Sequence, residues 1–146
     1  MTSPAPPDPL ELRQRVSAYG ICEDPEGNVL LVRAAAYLTV AGRWFLPGGG
    51  IDHGEDPTDA LRREFAEETG LDVQVGTVRG VLSDVFILPD GASLHTVRII
   101  HAIDSYSGTL RDEEGGSSDA ARWVTPDELG RLPLAPYAHR ALTELR

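Results

Sequence analysis

At 146 residues, with 41% hydrophobic and 6% aromatic content, the chain has the size and composition of one globular domain that buries its own core. A formal net charge of −10 argues against a general nucleic-acid or anionic-membrane surface, because both need a basic patch. All 13 Lys/Arg residues are arginine, so Schiff-base and lysine-nucleophile chemistry is excluded, and the single cysteine, Cys22, leaves no disulfide within the chain. No apolar stretch approaches the roughly 20 residues of a membrane-spanning helix. The N-terminus lacks the basic-then-apolar pattern of a secretion signal, so a cytoplasmic location is the expectation.

Residues 1–14 read as a flexible arm, since MTSPAPPDPL carries four prolines and little to bury. Residues 15–146 read as one domain. Val16–Cys22 alternates roughly and Asn28–Arg33 is a compact apolar run; the turn cluster Glu23–Gly27 between them makes two neighbouring strands. Cys22, inside an apolar run, reads as a small buried hydrophobe. Ala34–Arg43 is a loop long enough to be functional, with Tyr37 and Arg43 as candidate substrate contacts. Trp44–Leu46 is a short strand ended by Pro47.

Beyond residue 70, Leu71–Val75, Gly80–Leu88 and His95–Ile103 are extended, the last two joined by a Pro89-Asp90-Gly91 turn. His95 and His101 share a strand face, and His95 is a further candidate substrate contact. A short extended piece, Gly108–Arg111, leads into the acidic run Asp112–Asp119. Arg122–Val124 reads as a last strand. Thr125, Pro126 and Glu128 form a capping-box pattern for a short helix, and Pro136–Arg146 closes the chain as a helix with Leu142 and Leu145 inward. Strands around one helix, followed by a terminal helix, make an α/β layered domain with a mixed sheet.

The stretch Gly49–Leu71 organises the rest. A glycine-rich loop feeds a short acidic helix, with Asp56 as N-cap, Pro57 at the first helical position and Gly70 as a left-handed stop. Glu64, Glu67 and Glu68 fall within roughly 100° of one another around the helix, bordering the apolar stripe of Leu61 and Phe65 instead of opposing it. A Glu-rich helix face is ordinarily just solvated. Here the carboxylates follow three consecutive glycines that allow close backbone approach to a ligand. Hard oxygen donors in that setting suit Mg²⁺ or Mn²⁺ bridged to phosphate oxygens.

This stretch resembles the signature of the Nudix hydrolases: Gly, five residues, Glu, seven residues, Arg-Glu-apolar-any-Glu-Glu-any-Gly-apolar. Gly49, Glu55, Arg63, Glu64, Phe65, Glu67, Glu68, Gly70 and Leu71 fill every fixed position with that spacing. Trp44–Gly48 is similar to the family's lead-in. The resemblance implies an α/β/α sandwich around a mixed β-sheet. It implies cleavage of a nucleoside diphosphate linked to another moiety by water attack on phosphorus, dependent on Mg²⁺ or Mn²⁺. By the same resemblance Glu64, Glu67 and Glu68 are metal ligands, with the carbonyl of Gly48 or Gly49 as a further ligand. Glu67 or Glu68, then Glu64, are candidates for deprotonating the water. Arg63 orients the carboxylates, with Glu55 as partner. Family members often place a base or ligand outside the motif, and Glu113, Glu114 and Asp119 are the candidates here. A homodimer is the family-based expectation.

The substrate stays open. A nucleoside triphosphate, an oxidised one included, is reached by elimination; ADP-ribose or another nucleotide sugar is the alternative. Two readings of other classes compete. One is a catalytically silent nucleotide sensor, which the intact set of motif glutamates weighs against. The other is isomerisation of an isoprenoid diphosphate, which wants a cysteine beside the site.

Overall fold

The computed structural model describes residues 11–35 and 40–146. Two sheets form the scaffold. The larger joins β1 (Leu12–Ile21), β4 (Gly48–Gly50), β5 (Asp72–Ile87) and β6 (Ser93–Ser107) in the order β4-β1-β6-β5. It is mixed: β1 runs parallel to β6 over ten register pairs, from Leu12↔Ser93 to Ile21↔Ala102, while β4 and β5 pair antiparallel to their neighbours. The smaller is antiparallel, with β2 (Val29–Ala34) between β3 (Trp44–Phe45) and β7 (Ser118–Val124). β1 thus starts inside the stretch read as an arm, because parallel pairing with β6 satisfies the backbone from Leu12 onward.

Strand alternation splits the core into two layers. Ala18, Cys22, Leu30 and Val73 pack with Leu61 and Phe65 of helix α1 (Pro57–Thr69). Tyr19, Ile21, Val29 and Leu31 point the other way and pack with Tyr137, Ala138 and Ala141 of helix α3 (Pro136–Glu144). Neighbours 18/19 and 30/31 face opposite helices, as the two-residue period of a strand requires, and the result is the expected helix–sheet–helix layering. Leu142 and Leu145 pack against the second layer as read. The short helix α2 (Pro126–Leu129) carries its capping box in full, with Thr125 Oγ1 accepting from Glu128 N and Glu128 Oε1 accepting from Thr125 N, both at 3.2 Å.

Three local readings change. The glycines at 48–50 form strand β4 instead of a loop. Gly48 has φ +147°, and a Cβ there would overlap the Ala18 carbonyl oxygen, so only glycine lets this segment lie against β1. The two segments expected at 71–75 and 80–88 are one strand, β5, whose register slips between Gln74 and Gly80; bulges absorb the extra residues that looked like a break. Gly108–Arg111 is irregular, not extended. Arg111 N donates to Thr69 O and its guanidinium to Ala66 O at 2.9 Å, which satisfies carbonyls at the C-terminus of α1. Among the described residues no helix is long and apolar enough to cross a membrane.

Candidate active site

Helix α1 begins with Asp56, whose carboxylate accepts from Thr58 N, and stops at Gly70, with φ 76°. Leu61 and Phe65, both fully buried, fix its rotation on the sheet. That rotation turns Glu64 and Glu68 toward β4, with Glu67 at the rim. Glu68 is 4% exposed, and its Oε1 accepts from Gly48 N at 2.8 Å. Glu64 sits against Gly49: a Cβ on that residue would lie 2.7 Å from Glu64 Oε1, so the glycine leaves the space the carboxylate occupies.

Arg63 ties the row together. Its Nε and Nη2 donate to Glu55 Oε2 and Oε1, each at 2.9 Å, a bidentate pair. Its Nη1 donates to Glu64 Oε1 at 3.1 Å and lies 3.5 Å from Glu67 Oε1. Nη2 also donates to the Gly50 carbonyl at 3.3 Å. Glu55 in turn accepts from Asp52 N at 3.1 Å, closing the loop that leads into the helix.

The environments divide the carboxyl groups. Arg63 beside Glu55 pulls that carboxyl down to about 2. Burial pushes Glu64 up, with Arg63 opposing and Glu67 and Glu113 reinforcing the rise. Burial pushes Glu68 well above the ordinary range; repulsion from Glu64 and Glu113 adds to this, and the Gly48 N–H bond opposes it. One hydrogen bond does not compensate a buried carboxylate. Glu68 is therefore left short of positive charge, while Glu64 has the Arg63 guanidinium at 3.1 Å.

A cleft of about 320 Å³ opens beside these groups, lined among others by Tyr19, Phe45, Leu46, Gly48 and Gly49 of β4, Glu64, Glu68 and Ser118. Behind it the Tyr19 and Tyr137 rings lie 4.7 Å apart, tilted by 47°, and the Arg98 guanidinium lies over the Tyr137 ring at 4.4 Å.

Of the residues expected outside the motif, Glu113 comes nearest the carboxylate row. Its Oε1 accepts from Ser118 N and Oγ at 3.2 Å, and its charge reaches Glu64 and Glu68. Glu113 and Glu114 both line a second, more open hollow, together with Glu67, Arg111 and Asp112. Asp119 points elsewhere, paired with Arg33 Nε at 2.7 Å, because strand β7 begins at Ser118 and alternates its side chains. Arg43 and His95 are absent from the cleft lining. Arg43 Nη1 donates to the Leu134 carbonyl at 3.4 Å, and His95 lies across the sheet beside Gln14, 3.2 Å away. Tyr37 falls outside the described residues. Sequence reasoning missed Arg15, Tyr19 and Phe45 as cleft residues; only the β1–β4 register reveals which face of β1 looks into the site.

Cation ligands are present as chemistry more than as a finished cage. Among the described residues no three His, Cys, Asp or Glu side chains are gathered at metal-ligand positions, since Arg63 draws Glu64 and Glu67 toward itself. The donor set is nonetheless all oxygen, its buried member Glu68 has only the Gly48 N–H as partner, and Gly49 leaves room for the Glu64 carboxylate. Those features fit a hard divalent cation. Cys22 is buried against α1, and burial pushes its thiol up to about 12, which removes it from any reactive role.

The NUDIX domain profile matches residues 13–145, and the chain belongs to that family, with the MutT-like sequence and fold that its relatives share. The chain is 32% identical over 114 residues to the CTP pyrophosphohydrolase of Escherichia coli, covering 76% of each. It is 30% identical over 133 residues to the ADP-ribose pyrophosphatase of Methanocaldococcus jannaschii, covering 91% of this chain and 73% of that one. A MutT NUDIX hydrolase from Burkholderia pseudomallei superposes with a TM-score of 0.77 at 27% identity, covering 92% of this chain and 99% of that one. Family and relatives together make the protein a pyrophosphohydrolase.

Proposed function

We propose that the chain is a Mg²⁺- or Mn²⁺-dependent pyrophosphohydrolase that cleaves a nucleoside triphosphate, an oxidised one included, by water attack on phosphorus. The observation that carries the reading is the carboxylate pair of half-buried Glu64 and buried Glu68, set against Gly49 and Gly48 and lining a cleft with aromatic and apolar residues. Such a lining suits a nucleoside, and the carboxylates suit its phosphates through a bridging divalent cation.

In this reading Glu64, Glu67 and Glu68 hold the cation, with the Gly48 or Gly49 carbonyl beside them. When bound, it neutralises phosphate charge and acidifies the attacking water. The protein's own contributions are positional. Gly48 N–H fixes Glu68. Arg63, anchored on Glu55, holds Glu64 and restrains Glu67 at the rim. Glu67 or Glu68 takes the proton from water, with Glu64 next; Glu113 stands nearby as the base or ligand outside the motif. Gly70 ends the helix in the left-handed conformation, and Gly49 on β4 leaves space for the Glu64 carboxylate.

The ADP-ribose alternative has its own support in the relative of that name, which matches 91% of this chain. A silent sensor is disfavoured because every motif glutamate is present. The deciding experiment is a product screen with Mg²⁺ and with Mn²⁺ over nucleoside triphosphates, oxidised triphosphates, ADP-ribose and other nucleotide sugars. Pyrophosphate release from a triphosphate, exceeding any nucleotide-sugar turnover, supports the reading. Turnover confined to ADP-ribose replaces it with the alternative.

A further inference from the structure

We infer that Arg15 is a phosphate-binding residue of this cleft, gripping the substrate's polyphosphate from the β1 wall; the inference rests on the pyrophosphohydrolase reading above. The chain has 13 arginines against 23 acidic residues, so each guanidinium has an excess of carboxylates to find. Among the described residues twelve of the 13 make an ion pair or hydrogen bond, as Arg33 does with Asp119, Arg122 with Asp112 and Arg146 with Glu23. Arg15 makes none.

Its position accounts for this. On β1, Arg15 shares a face with Ser17 and Tyr19, two and four residues on. The antiparallel register Ser17↔Gly50 lays the glycine strand beside that face. The guanidinium rests against Gly50, with Nε 3.2 Å and Nη2 3.3 Å from where a Cβ would stand. No side chain of β4 separates it from the cleft, which it lines together with Glu64 and Glu68.

Among the described residues lining that cleft, Arg15 is the one positive side chain; its charged companions there are both carboxylates. A polyphosphate entering the cleft meets those two negative groups, and Arg15 offers the opposite charge. A guanidinium also presents paired N–H donors that match two phosphate oxygens, which a lysine cannot reproduce. An exposed guanidinium that no protein group holds, at the wall of a cleft whose other charges are carboxylates, is free to take an anionic ligand.

The test uses Arg15→Ala and Arg15→Lys in the full chain with Mg²⁺. Two quantities are read: KM and kcat on the best nucleotide, and the Kd of inorganic tripolyphosphate by calorimetry, a probe with neither base nor sugar. Losing a charge-assisted bond predicts a rise of about tenfold or more in both KM and Kd for Arg15→Ala, with a smaller change in kcat. Arg15→Lys recovers part of each, and thermal stability is unchanged in both variants. KM and Kd within about twofold of wild type would overturn the inference while wild-type turnover keeps the pyrophosphohydrolase reading. Weakened tripolyphosphate binding in a protein that turns over no nucleotide would uphold Arg15 and overturn that reading. A wild type that neither binds nor hydrolyses would overturn both.

Discussion

Arg63 holds Glu55 through two parallel bonds of 2.9 Å, and so brings its remaining nitrogen within 3.1 Å of Glu64. One arginine thereby converts a loop residue and a row of helical carboxylates into a single electrostatic unit. Glu55 anchors and Arg63 transmits the orientation to Glu64 and Glu67, leaving Glu68 to the backbone of Gly48.

That anchor has a pH signature. The Glu55 carboxyl is depressed from 4.5 to about 2, so its stabilising contribution is complete above about pH 4.5 and is lost as pH falls toward 2. Glu55→Gln lacks the contribution throughout. Urea unfolding should therefore separate wild type from variant at pH 7 and bring the curves together as pH approaches 2. The variant should also lose roughly tenfold or more in turnover, the scale of a lost orienting partner.

Glu68 predicts the opposite sign. Its folded carboxyl is raised, so ionising it costs stability as pH rises above the ordinary glutamate range. Glu68→Gln keeps an oxygen for Gly48 N–H and removes the charge. In metal-free buffer at pH 8 it should be more stable than wild type by about 1–3 kcal/mol, the scale of a buried charged group left short of partners. The gap should narrow toward pH 5 or on adding Mg²⁺, while activity is lost. A less stable variant in denaturant titrations would refute this.

Gly49 predicts a steric effect. Its φ is not in the left-handed region, so alanine fits the backbone, but the added methyl would stand 2.7 Å from Glu64 Oε1. Gly49→Ala should displace Glu64 and lower kcat by about tenfold or more with little change in melting temperature. Gly48→Ala should instead impair folding, because its methyl meets the β1 backbone.

The two acidic residues outside the motif separate cleanly. Glu113→Gln retains the acceptor for Ser118 and deletes the charge felt by Glu64 and Glu68, so kcat should fall by about tenfold or more. Asp119→Asn alters a surface pair with Arg33 and should leave kcat within about twofold. Steady-state kinetics of the two side by side would expose a reversed order.

Much of this was legible because local chemistry decided it. Asp56, Pro57 and Gly70 mark the ends of α1, and the spacing of Leu61 and Phe65 sets its buried face, so the carboxylate row follows from 23 residues of sequence. The α2 capping box was equally local. What the sequence hid depends on contacts between distant segments. Gly48–Gly50 looked like a loop because glycine has no strand preference; only proximity to β1 makes it a strand. Asp119 lay in an acidic run, yet one step along β7 sends it to Arg33. Arg15 carried no signal at all until the β1–β4 register set it against Gly50.

In the proposed reaction the α1 carboxylates carry hydrolysis of a nucleotide's phosphoric anhydride. This role is tested most directly by comparing wild type with Glu67→Gln for phosphate or pyrophosphate release, each with Mg²⁺ on the best nucleotide of the screen. Glu67 is exposed at the rim, so the variant should keep its fold and circular dichroism. Turnover should drop by at least about 100-fold. A folded Glu67→Gln protein that retains wild-type turnover would contradict the account.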